Sequence, residues 1–167
     1  MTTPPMLRQL RHDIWATEKL IAFMRAQPEA TLDLTTPGTY GTIRRTLAHI
    51  VAADERYLLR LGVARPDPAF SEERDTSLDE IARHLASVKD AVEALFAGKE
   101  FEPDRWVADT RRPTREMESW TMVTQFAHHG SDHRAHVGTI LGRHGLETPQ
   151  VDVWAYGSEI GAIRERR

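Results

Sequence analysis

The sequence predicts an all-α fold, a four-helix bundle in one domain spanning residues 1–167, and three observations predict it. Four segments of about 20 residues carry apolar side chains at a 3.6-residue period. Each is bounded by helix start or stop residues. Between them only Arg105–Val107 has the make-up of a strand. At 40% hydrophobic and 28% charged residues, the 167-residue chain has the balance of one globular domain, large enough to bury a core without disulfides.

The first helix is expected from about Met6 to Gln27, with Leu7, Leu10, Ile14, Ile21 and Met24 on one stripe and Thr17 its one polar member. Pro4 and Pro5 open it and Pro28 closes it. The second runs from about Thr42 to Leu61, with Ile43, Leu47, Ile50, Tyr57, Leu58 and Leu61 aligned and Gly62 beyond its end. The third has the cleanest period: Leu78, Ile81, Leu85, Val88, Val92 and Leu95. Ser77 and Glu80 make a capping box before it, and Gly98 supplies the stop. The fourth runs from about Ser119 to His144, followed by Gly145 and Pro149. A long connection, Phe101 to Glu118, joins the third and fourth helices; loops of that length tend to be either functional or mobile. The tail after Pro149 is expected to add a short C-terminal helix or to pack Trp154 and Tyr156 against a bundle end.

Composition excludes several chemistries. The chain has no cysteine, which removes thiolate-held zinc, iron–sulfur clusters and thiol nucleophiles together. A net charge of −3 gives no electrostatic footprint for nucleic acid. No apolar run is long enough for a signal peptide or a membrane span, so a cytoplasmic location is the expectation.

Histidine is the unusual component. There are eight, and five fall between positions 128 and 144. Met122, Phe126, His129, His133, His136 and Ile140 alternate by four and three, which predicts one inward face with three imidazoles on it. Burying such rings without partners costs on the order of 1–3 kcal/mol each, so ligation or hydrogen bonding is required. A single core histidine is more often hydrogen-bonded than metal-bound, yet His129 and His133, one turn apart, have the spacing with which a helix offers two nitrogens to one metal ion. A third ligand must come from a facing helix, and pattern leaves His12, His49, His84 and Asp54 open; Asp54 lies on the second-helix stripe and His49 well off its centre. Small residues beside His49 (Ala48, Ala52 and Ala53) would permit close helix approach.

The stretch from Gly41 to Glu55, with His49 at its middle, resembles the second helix of the DinB/YfiT-like superfamily of metal-dependent enzymes. The run His129-Gly130-Ser131-Asp132-His133-Arg134 is similar to that family's second motif, H-G-x-x-H-R-G-Q. His12-Asp13-Ile14-Trp15-Ala16 and Asp152-Val153-Trp154-Ala155-Tyr156 add to the resemblance, which covers nearly the whole chain. It implies a four-helix bundle, commonly homodimeric, that holds a divalent metal on His49, His129 and His133. The chain departs from the motif at Ala135 and His136.

Three imidazoles with an open position describe a catalytic rather than a structural site. Zinc fits such ligands, with nickel, iron or manganese as alternatives. The activity implied is transfer or isomerisation with a low-molecular-weight thiol such as mycothiol or bacillithiol as cosubstrate. The alternatives are a metal-dependent hydrolase and a non-catalytic metal- or ligand-binding stress-response protein. His136 and Asp132 are the candidate catalytic residues, for hydrogen bonding or proton transfer at the site. Arg134 is expected at the far edge of its helix, in a bridging role. Arg111, Arg112 and Arg115 form a basic cluster suited to an anionic thiol, and the long loop and tail are expected to wall the pocket. Apolar residues beyond one stripe of the first helix (Trp15, Leu20 and Phe23) suggest a dimer surface.

Overall fold

The structure, a computed structural model, describes residues 3–66, 68–72, 76–97, 101–112 and 114–165. Four long helices form the bundle: α1 (Pro5–Arg25), α2 (Ile43–Arg60), α3 (Leu78–Ala97) and α4 (Ser119–Arg143). A short helix, α5 (Val153–Glu159), follows. The ends obey the local chemistry. Pro5 opens α1. Thr42 caps α2 by accepting from the Arg45 amide at 3.1 Å, an arrangement that contributes about 1 kcal/mol. Ser77 accepts from the Glu80 amide at 3.2 Å. The proposed stop at Gly98 lies outside the described residues. Gly62 and Gly145 take positive φ of 91° and 74° just after α2 and α4, the left-handed conformation that ends a helix at low cost.

Each of α1 and α2 packs against both α3 and α4, so α1 faces α2 across one diagonal and α3 faces α4 across the other. The chain crosses the first diagonal through a 3-10 turn (Glu29–Asp33), which buries Leu32. It crosses the second through a small antiparallel hairpin of β1 (Trp106–Ala108) and β2 (Glu116–Glu118), with Val107 opposite Met117. Asp109 organises that hairpin. It accepts from the Arg111 amide at 3.0 Å and from Arg115 and Arg60, and these donors, the Arg111 amide first, hold its carboxyl down to about 2.

The stripes read from the sequence for α1, α2 and α3 are the buried faces, with Leu10, Ile14, Ile21, Leu47, Ile50, Ile81, Leu85 and Val92 at 2% exposure or less. The stripe of α4 is displaced. Its core face is Val123, Phe126, Ala127, Gly130, Arg134, Val137, Ile140 and Leu141, while His129, His133 and His136 lie on its flank, half-buried. Arg134, expected at the far edge, is buried at the centre. Its Nη2 donates to Asp13 Oδ1 at 2.6 Å, and its Nη1 to the Asp13 carbonyl and Thr17 Oγ1. A pattern based on hydrophobicity places any arginine outward; here a carboxylate across the α1–α4 seam reverses that.

Leu20 is fully buried and Phe23 packs on the core, so the chain itself covers most of the surplus apolar surface of α1. Trp15 is covered by Tyr156 of α5, with ring centroids 5.2 Å apart. Trp154 does not pack: it is 74% exposed.

Candidate metal centre

The site lies in the seam between α2 and α4. α2 and α4 pack directly against each other, and beside His49 the side chains Ala48, Ala52 and Ala53 are buried at 1–2% exposure. His49, on the second turn of α2, thereby meets His129 and His133 at the middle of α4. One nitrogen from each ring lies within 4.8 Å of the others. The ring centroids form a near-equilateral triangle of 4.8, 4.6 and 4.4 Å. His129 Nε2 and His49 Nε2 are 3.0 Å apart.

Burial, followed by the neighbouring rings His133 and His49, depresses His129 to about 3. Burial, followed by His49 and His136, depresses His133 to about 4. Burial also lowers His49, against the opposing pull of the Glu72 carboxylate. All three are therefore neutral at pH 7, the state that a metal ion requires of imidazole. The Nδ1 atoms of His129 and His133 are buried without a hydrogen-bond partner among the described residues. Converging neutral nitrogens, some unsatisfied, fit a divalent cation that favours nitrogen ligands.

The other candidate ligands are engaged elsewhere. His12 Nε2 bonds to the Val151 carbonyl at 2.9 Å, and His84 Nδ1 to Glu55 Oε1 at 2.7 Å. Asp54 does point inward, at 1% exposure, but stands outside the cluster among other charged groups: burial and then Asp13 raise it, Arg134 and Arg56 oppose. His136 stacks edge-on against His133 at 5.3 Å, and its Nδ1 is buried without a hydrogen-bond partner among the described residues. Asp132 is exposed.

Sequence reasoning missed two residues of the site. Tyr40 lies on His49 with centroids 4.0 Å apart and meets the edge of His133 at 4.9 Å. Its only signal was position: an aromatic between Gly38 and Gly41, directly before the Thr42 cap. Glu72, in the connection from α2 to α3, bonds His49 Nδ1 through Oε2, and Arg56 lies 3.4 Å from its other oxygen. Glu72 is one of three acidic residues between Ser71 and Asp75, and no periodicity singles it out.

The expected walls are not at the site. Arg105 donates to the Leu61 carbonyl and Arg60 pairs with Asp109, so the hairpin docks at the C-terminal end of α2, roughly 17 Å along the helix from His49. Arg115 is paired with Asp109. The tail crosses to α1, where Tyr156 rests on Trp15 and His12.

A family model described as the DinB family matches residues 1–165. A solved DinB-like protein from Bacillus cereus is similar over 88% of this chain and 95% of its own, at 21% identity and a TM-score of 0.70. A DinB family member from Shewanella denitrificans is similar over 97% and 89%, at 16% identity and a TM-score of 0.54. Both likenesses are of fold. No curated protein matches the chain.

Proposed function

The chain belongs to the DinB family, and from that premise we propose that it is a metal-dependent enzyme whose divalent ion is held by His49, His129 and His133. The observation that carries the reading is the convergence of three neutral imidazoles from two helices within 4.8 Å. Zinc is the ion we assign first, with nickel, iron or manganese able to use the same ligands. When bound, the ion supplies Lewis acidity, lowering the pKa of a water or thiol that reaches it.

The protein's own groups do the rest. Tyr40 shields one face of the site and helps keep water from it. His136, beside His133, and Asp132, one turn away on the same helix, are the residues we assign to proton transfer at the solvent-facing rim. The reaction class we favour is transfer or isomerisation of a small molecule with a low-molecular-weight thiol as cosubstrate. We also propose a homodimer; the exposed apolar side chains Val153, Trp154 and Ile160 of the C-terminal segment support it.

Protein purified without chelator should carry about one divalent ion per chain. His129→Ala and His133→Ala should abolish binding, and His49→Ala should weaken it severely. Wild-type metal content in all three variants would sink the assignment. With cobalt in place of the native ion, mycothiol or bacillithiol should produce sulfur-to-metal charge-transfer absorption that His133→Ala loses. A spectrum unmoved by any thiol, together with hydrolysis of activated esters, would replace the thiol reading by a hydrolase.

A further inference from the structure

His49 is held differently from its two partners. The Nδ1 atoms of His129 and His133 find no acceptor among the described residues, whereas His49 Nδ1 meets Glu72 Oε2. Its opposite nitrogen, Nε2, faces His129. A neutral imidazole carries one proton, and a carboxylate oxygen can only accept. The Nδ1 of His49 therefore carries the proton and donates it, and the lone pair is left on Nε2, toward the other two rings.

The loop that brings Glu72 is anchored on its N-terminal side. Phe70 is buried at 4% exposure, and its amide donates to Glu55 Oε2 at 3.3 Å. Glu55 is itself 2% exposed and is fixed through Oε1 by His84 of α3 at 2.7 Å. Arg65 lies 3.5 Å from Glu55 Oε2 and donates to the Phe70 carbonyl at 3.3 Å. Two residues further on, Arg56 engages the carboxylate oxygen of Glu72 that His49 does not use. Glu72 is thus placed by contacts to α2 and α3 that do not involve the histidine cluster.

We propose that Glu72 is a positioning residue for the three-histidine site, setting the tautomer and ring direction of His49 so that Nε2 is presented with His129 and His133. This rests on the metal-site reading above. It also accounts for how a histidine well off the centre of the α2 stripe becomes a ligand: a loop carboxylate, rather than the helix face, aims it. Removing such an outer carboxylate typically costs about 10–100-fold in metal affinity.

The test compares full-length wild type, Glu72→Gln and Glu72→Ala, stripped of metal and titrated with zinc against a chelating indicator. Imidazole nitrogen–proton spectra of the apo-proteins are recorded alongside. Glu72→Ala should weaken zinc binding about 10–100-fold and shift the His49 resonances from a single Nδ1-protonated tautomer to a mixture. Glu72→Gln, which keeps an acceptor oxygen, should retain the tautomer and lose less affinity. Equal thermal midpoints would show that the bundle still folds in both variants; a loss of affinity with the tautomer unchanged is the signature of mere loosening and overturns the proposal. Undiminished affinity in Glu72→Ala, beside a wild type that binds zinc through the histidines, also overturns it and leaves the metal reading intact. A wild type that binds no metal ends the metal reading instead, and the apo spectra still decide whether Glu72 sets the tautomer of His49.

Discussion

Asp54 is 1% exposed, and neither of its carboxylate oxygens has a hydrogen-bond partner among the described residues. Burial, then the nearby Asp13, pushes its carboxyl well above the ordinary 3.8. The unfolded chain ionises Asp54 near that ordinary value, so folding takes up a proton at any pH between the ordinary and the raised value. Stability from this group is full below about 3.9 and declines as pH rises toward the raised folded value. The expected outcome is a wild type that loses up to about 1.4 kcal/mol per pH unit across that window, and an Asp54→Asn variant whose dependence is shallower. Urea melts at pH 5, 6, 7 and 8 give both slopes; parallel curves would show that Asp54 does not hold the proton. The site itself was legible only in part. The His129 and His133 pair is a spacing along one helix, which a sequence displays. His49 became a candidate ligand through family resemblance alone, because its place on the α2 wheel argues against it. Glu72 and Tyr40 arrive from loops, and no local rule links residue 72 to residue 49.

At the scale of elements, α4 carries a glycine in its interior, where glycine costs about 1 kcal/mol relative to alanine. The reason is the seam with α1. A Cβ at Gly130 would sit 2.5 and 2.6 Å from the Asp13 carboxylate oxygens and 2.7 Å from Arg134 Nη1. Those atoms form a buried ion pair that cannot swing into solvent. Gly130→Ala should therefore gain about 1 kcal/mol of helix propensity and lose more by displacing the pair. The net expectation is a destabilisation of about 1–3 kcal/mol, measured by denaturant unfolding, and an equal or higher midpoint would contradict it. The same seam explains which elements the sequence displayed. The helices were clear because α1, α2 and α3 bury largely apolar stripes, broken in α1 by Thr17, with helix start or stop residues at their ends. The rotation of α4 was hidden, since Gly130 and Arg134 replace apolar residues on its core face. Strand β2, Glu-Met-Glu, was hidden as well, for it forms through pairing with β1 and the Asp109 turn rather than through its own pattern.

For the whole molecule, the expected assembly is a pair of chains. Trp154, Val153 and Ile160 are 74%, 62% and 57% exposed on the C-terminal segment, an apolar surface that a lone chain leaves in water. Sedimentation at micromolar concentration should give twice the 19.0 kDa chain mass, and a 19.0 kDa species would end the dimer proposal. The bundle has a further property that follows from where the histidines come from. His49 and His129 are 80 residues apart along the chain, and the apolar core that joins their helices contains none of the three rings. In the nascent polypeptide the ligands are separate, and bringing such distant points together costs loop entropy that the core, rather than an ion, offsets. On the metal reading proposed above, assembly comes first and loading second, and protein stripped of metal is expected to keep its helical circular dichroism. The finished scaffold would then meet whatever ions its surroundings hold, and because several first-row metals accept nitrogen ligands, supply would help to decide the occupant. Grown on zinc-poor and nickel-rich medium, a cell would fill the same scaffold with a different element, and the reactivity of the finished protein would be in part a record of its maker's diet.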